Sequence, residues 1–109
     1  MKVNICGVYH TIEYKNDDFQ IDDTKFGFID YAKAKIIIND DIAEDLKKET
    51  LCHEIVHGIL FHIGRQDLSN DENLVQALAN AINQSFTVNY YIDDKEMGSV
   101  SLVNINEQK

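Results

Sequence analysis

The stretch His53-Glu54-Ile55-Val56-His57 carries the residue types of a hydrolytic metal site at the spacing a helix requires. Residues four apart on an α-helix lie about 40° apart around the axis and one turn along it, so both imidazoles project from one face. Two histidines so placed can share a zinc ion at ~2.0–2.1 Å. Glu54 stands about 100° round from His53, beside such a metal rather than on it. From there its carboxylate can take a proton from water polarised at the metal and later return it to a leaving amine. The motif thus predicts zinc-dependent hydrolysis, with His53 and His57 as ligands and Glu54 as general base.

A catalytic zinc needs three protein ligands and one open position. His62 falls on the opposite side of a continuing helix from His53 and cannot reach the same metal. His10 lies far away in a strand-like segment and reads as structural. The remaining candidates are the carboxylates Asp67, Asp71 and Glu72. Glu72 also has a local role available, closing a capping box that opens at Ser69. Asp71 falls near the centre of the next helix's apolar face and could point inward as well. Position alone leaves the third ligand open. Cys52 faces about 100° away from His53 and reads as a small buried residue. A tyrosine could donate a hydrogen bond to a developing oxyanion, but nothing in the pattern selects one of the five.

The elements that must position these groups follow from periodicity. Residues 2–14 alternate apolar and polar around Gly7, as one bent strand or a tight hairpin. Residues 26–39 form a second strand pair, turning near Lys33-Ala34. Ile36-Ile37-Ile38 is a continuous β-branched run suited to a strand buried on both faces. That strand is expected beside the motif helix, offering its edge to an extended peptide. Asp41 and Glu44 have capping-box spacing, so the motif helix is expected from Asp41 to about Ile63, with Gly64 as a left-handed cap. A second helix opens at Ser69, with Leu74, Val75, Leu78, Ala79, Ile82 and Phe86 on one face. Residues 87–105 read as weak strands around Asp93-Asp94. The order is that of an α+β domain, a mixed or antiparallel sheet packed on two helices.

The chain has 109 residues, which predicts a single domain over 1–109. Its 10 Lys plus Arg against 19 Asp plus Glu give a formal net charge of -9. That balance argues against nucleic acid and against anionic membrane surfaces as direct partners. No apolar run resembles a signal peptide or the ~20 residues of a membrane span, so a cytoplasmic protein is expected. The two cysteines, Cys6 and Cys52, are expected as free thiols. The acidic pairs between apolar segments read as solvated turns.

Three segments together resemble the ImmA/IrrE-like metallopeptidases, zincin-type proteins of phages and integrative elements. They are Ile36-Ile37-Ile38-Asn39, the helix Thr50 to Leu60 around the motif, and Glu72-x-x-Val75-x-x-Leu78-Ala79. In that family the second helix carries Glu-x-x-Ala-Asn-x-Phe-Ala, whose Glu is the third zinc ligand. Val75, Gln76, Leu78 and Ala79 fall on the Ala, Asn, Phe and Ala positions, so the resemblance implies Glu72 as that ligand. It implies a small zincin-like fold over residues 26–86, a Zn2+ cofactor, and an endopeptidase acting on a protein partner such as a basic DNA-binding repressor. The family usually follows its second helix with a Leu-Leu-Met-Pro-like stretch. Asn83-Gln84-Ser85-Phe86 stands there instead. Together with the small size, that departure keeps a second class in view, a non-catalytic zinc-binding regulatory protein on the same scaffold. Retention of Glu54 favours the enzyme, because a purely structural site gains nothing from a general base.

Overall fold

The computed structural model of the chain describes residues 1–16, 26–92 and 98–104, with the backbone course alone over 87–92 and 98–104. The elements in order are β1 (Lys2–Ile5), β2 (Val8–Lys15), β3 (Gly27–Asp30), β4 (Lys35–Asn39), α1 (Glu44–His62), α2 (Gln66–Ser69), α3 (Glu72–Ser85), β5 (Phe86–Ile92) and β6 (Gly98–Asn104). The fold is α+β, with a mixed sheet ordered β3-β4-β2-β1-β6-β5.

The first segment is a hairpin rather than a bent strand. Ile5 pairs with Val8, and Cys6 and Gly7 both take positive φ, 52° and 89°. Two left-handed residues in a two-residue loop match the right-handed twist of the flanking strands. β4 then runs parallel to β2, in register from Thr11↔Lys35 to Lys15↔Asn39, and antiparallel to β3.

This overturns the expected sheet edge. β4 is interior, paired on both sides, and the terminal strand beside α1 is β3. Ile36, Ile37 and Ile38 are all buried, as a strand flanked by partners and covered on both faces should be. The edge instead falls to the short Gly27–Asp30 segment, which ends on a charge.

Val3, Ile5, Ile12, Ile36 and Ile38 point from one sheet face onto Leu51, Cys52, Ile55, Val56 and Leu60 of α1. Val75 and Ala79 of α3 close the same core. α1 therefore lies between the sheet and α3. Gly58 allows the close approach to β1, since a Cβ there would stand 3.0 Å from the Ile5 side chain.

Both expected helix starts are corrected. α1 begins at Glu44 with Ala43 as its N-cap, not at Asp41. The Asp41 N–H is taken by Asn39 Oδ1 at 2.8 Å, which holds residues 40–42 outside the helix. Glu44 and Asp45 still favour this end electrostatically. The C-terminal end is as expected: Gly64 has φ 80°, Arg65 N–H reaches Leu60 O and Gly64 N–H reaches Phe61 O, a Schellman closure. α3 starts at Glu72, capped by Asp71, whose carboxylate accepts from Leu74 N–H at 3.1 Å. Ser69 does not cap α3, because the short α2 intervenes and holds it. The tail forms an antiparallel pair, β5 with β6. The Asp93-Asp94 turn lies outside the described residues.

Candidate metal centre

α1 presents His53 and His57 on one face, and the first turn of α3 brings Glu72 to both. His53 Nε2 lies 3.1 Å from Glu72 Oε2, His57 Nε2 3.0 Å from Glu72 Oε1, and the two Nε2 atoms are 3.2 Å apart. Ligand atoms around a tetrahedral ion at ~2.0–2.1 Å stand roughly 3.3 Å from one another. These three residues form the one metal-competent group found among the described residues.

The outer nitrogens decide what the inner ones offer. His53 Nδ1 lies 2.8 Å from Gln76 Oε1, while Gln76 Nε2 donates to Glu49 Oε1 and Asn80 Oδ1 at 2.9 and 2.8 Å. The Glu49 carboxylate can only accept, so it fixes the amide orientation, and Nδ1 of His53 is the donor. Its Nε2 then carries a lone pair in the neutral ring. His57 Nδ1 is likewise engaged outward, 3.0 Å from Ser69 Oγ. One imidazole lone pair, a second imidazole nitrogen and a carboxylate therefore converge, a set of ligand atoms that could hold a metal ion. Burial pushes the His57 imidazole below its usual value, with Glu72 opposing and His53 adding to the shift. The neutral ring that a metal requires is favoured.

Structure separates the carboxylates that sequence left open. Asp71 is spent on the helix cap, and Glu72, at the first position of α3 rather than the third, is free of capping and reaches both histidines. Asp67 is paired with Arg65 at 2.9 and 3.1 Å, and that guanidinium holds its carboxyl below the usual range. Glu54 is buried, 6% exposed, and lines the same cleft without joining the three-residue group. His62 is far from the group and meets His10 instead. Burial pushes the Cys52 thiol up to about 11, with Glu49 adding to it, so a thiolate ligand is disfavoured.

The cleft holds about 530 Å³ between β3, the exposed side of α1 and the start of α3. Gly27 brings β3 onto α1 there: a Cβ would stand 2.7 Å from Thr50 Cγ2 and 3.1 Å from Ile37 O. Tyr31, just past β3, also lines it, stacked on Phe61 at 4.1 Å between ring centroids. Burial pushes its phenol up; the Ser69 hydrogen bond opposes this, and Glu54 and Glu72 reinforce it.

Sequence reasoning missed Gln76, Ser69 and Tyr31 as site residues. Gln76 had a signal, since it follows Glu72 by one helical turn and so shares its face. Ser69 and Tyr31 had none, because only the tertiary fold brings Ser69 to His57 and Tyr31 to the cleft wall. No protein-family model, curated protein or solved structure matches the chain. Among the described residues, no helix is long and apolar enough to cross a membrane.

Proposed function

We propose that the chain is a zinc-dependent endopeptidase of zincin type that acts on a protein partner in the cytoplasm. The observation that carries this reading is the convergence of His53 Nε2, His57 Nε2 and the Glu72 carboxylate, with Glu54 of the same helix beside them in one cleft. Two imidazoles and one carboxylate form a donor set suited to Zn2+ with a position left for substrate. When bound, zinc supplies Lewis acidity and lowers the pKa of water towards ~7.

The chain's own groups do the rest. Gln76 holds the His53 imidazole in the tautomer that leaves Nε2 bare, and Ser69 orients the His57 ring through its Nδ1. Glu54 takes the proton from the attacking water and delivers it to the leaving amine. β3, the terminal strand along the cleft, pairs its main chain with an extended substrate segment. Main-chain pairing demands little of sequence, so selectivity rests on docking the partner. A net charge of -9 favours a basic one and hastens encounter at low salt. A DNA-binding repressor of a phage or integrative element, the partner that the ImmA/IrrE resemblance implies, fits that charge.

The test compares zinc-loaded wild type with Glu54→Gln on a repressor encoded beside this gene, with casein as control. One zinc-dependent, salt-sensitive cut by wild type is expected, none by the variant, and poor casein cleavage by both. Rapid casein digestion would overturn the narrow specificity. No cleavage by a fully loaded protein would favour the non-catalytic zinc-binding regulator.

A further inference from the structure

Glu49 lines the cleft one helical turn before His53, half-buried, and the proposed hydrolysis gives it no task. Glu49, His53 and His57 recur every four residues and so form one stripe along α1. Gln76 Nε2 donates to Glu49 Oε1 at 2.9 Å, and Oε1 of the same amide lies 2.8 Å from His53 Nδ1. The carboxylate is thereby held in a fixed place relative to the histidines. In the zinc-loaded site the two charges of the ion are matched by Glu54 and Glu72. Glu49 has no such counter-charge: among the described residues, no lysine or arginine lines the cleft or pairs with it.

β3 runs alongside this stripe. Gly27 stands against Thr50, and further along both elements Tyr31 stacks on Phe61. A segment paired to β3 therefore passes Glu49 as well as the histidines. Four residues of helix advance ~6 Å, which is about two residues of extended chain. The cleft wall at that end is apolar, with Leu46 one turn before Glu49 and Phe26 beside Gly27, its ring 37% exposed.

We propose that Glu49, with the apolar wall of Phe26 and Leu46, forms a subsite for a lysine or arginine side chain of the substrate, about two residues from the bond to be cut. This rests on the zinc peptidase reading above and adds the side-chain preference that main-chain pairing on β3 does not supply. A long basic side chain lays its methylene stem along apolar surface and keeps its charged head in polar company. Here the stem lies against Phe26 and Leu46, and the head makes a charge-assisted hydrogen bond to the Glu49 carboxylate. The overall charge of -9 acts at long range and fades with salt, whereas a half-buried contact is screened much less.

The experiment uses peptide hydroxamates that bind the zinc, carrying arginine, lysine, norleucine or glutamate at the second residue from the hydroxamate. Two series, with the hydroxamate at the carboxyl or the amino end, lay the peptide on either side of the metal. Zinc content and probe affinity are measured for wild type, Glu49→Gln, Glu49→Lys and Asp41→Asn, at low and high salt. In one series, wild type should bind the arginine and lysine probes ~10–100-fold more tightly than norleucine, and keep most of that preference at high salt. Glu49→Gln should lose the preference with zinc content and norleucine binding unchanged, and Glu49→Lys should favour glutamate. Asp41→Asn removes one exposed charge outside the cleft and should bind as wild type does. No zinc in wild type, or no binding of any probe to the loaded protein, overturns the peptidase reading and the subsite with it. Probes bound without a preference for the basic residues overturn the subsite alone. An equal preference in wild type and Glu49→Gln overturns the role of Glu49.

Discussion

Two pairs of histidines meet on α1, and their rings are set almost alike. His53 and His57 have centroids 4.8 Å apart at 67°, and His62 meets His10 of β2 at 5.4 Å and 80°. What their nitrogens touch differs entirely. In the first pair each Nδ1 is bonded outward to a polar side chain, and both Nε2 atoms turn onto Glu72. In the second, His10 Nδ1 donates to Val8 O at 2.9 Å, and Nε2 of both rings is buried without a hydrogen-bond partner. Ring proximity does not make a metal site. A carboxylate across from the pair, and outer partners that orient the rings, assemble the donor set proposed for zinc. The His10–His62 pair is instead a wedge between the sheet and the end of α1.

The largest expected effect breaks that comparison directly. His57→Ala removes a ligand and should abolish stoichiometric zinc in protein purified without chelators. His62→Ala should leave zinc content at one per chain, because its ring serves packing alone. Equal zinc in wild type and His57→Ala would place the metal elsewhere. Next in size is Glu54→Gln, which keeps shape but cannot take a proton. It should lower hydrolysis ~10²–10⁴-fold with zinc content unchanged. Loss of metal in this variant would make Glu54 a ligand instead of a base.

Much of the metal pair was legible because its geometry is local. Helical spacing alone puts His53 and His57 on one face, and the Gly64 cap ends α1 where it was expected. The capping boxes misled because competing local bonds took their donors. Asn39 captured Asp41 N–H, and α2 removed Ser69 from the start of α3. The sheet edge was misplaced although Ile36-Ile37-Ile38 already carried the mark of an interior strand. Burial on both faces and an open edge pull against each other, and the burial signal was the better guide. Ser69 and Tyr31 were beyond reach, since their roles exist only once β3, α1 and α2 are brought together.

A smaller effect tests the close approach of β3 to the metal side of α1. Gly27→Ala would drive a methyl against Thr50, a β-branched side chain 7% exposed and stiff at χ1. The strand must shift outward, at a cost of ~1–3 kcal/mol. A lower urea midpoint is expected, with a raised KM and unchanged zinc affinity. Unchanged KM would show that β3 does not hold the substrate.

The smallest effect separates neighbours that sequence could not. Asp71 is the N-cap of α3, so Asp71→Ala should cost ~1 kcal/mol of stability and leave zinc bound. Asp71→Asn, an equally good cap, should change neither. Glu72 has no capping bond, and its side chain is 67% exposed, so Glu72→Gln should leave the urea midpoint of the metal-free protein where it was. It should nevertheless weaken zinc binding, because the amide replaces a charged two-oxygen donor with one neutral oxygen. The two variants thus move opposite observables: stability without metal for Asp71→Ala, metal without stability for Glu72→Gln. If Asp71→Asn releases zinc and Glu72→Gln retains it, the third ligand is one residue earlier than proposed, and the contrast between the two histidine pairs loses its carboxylate.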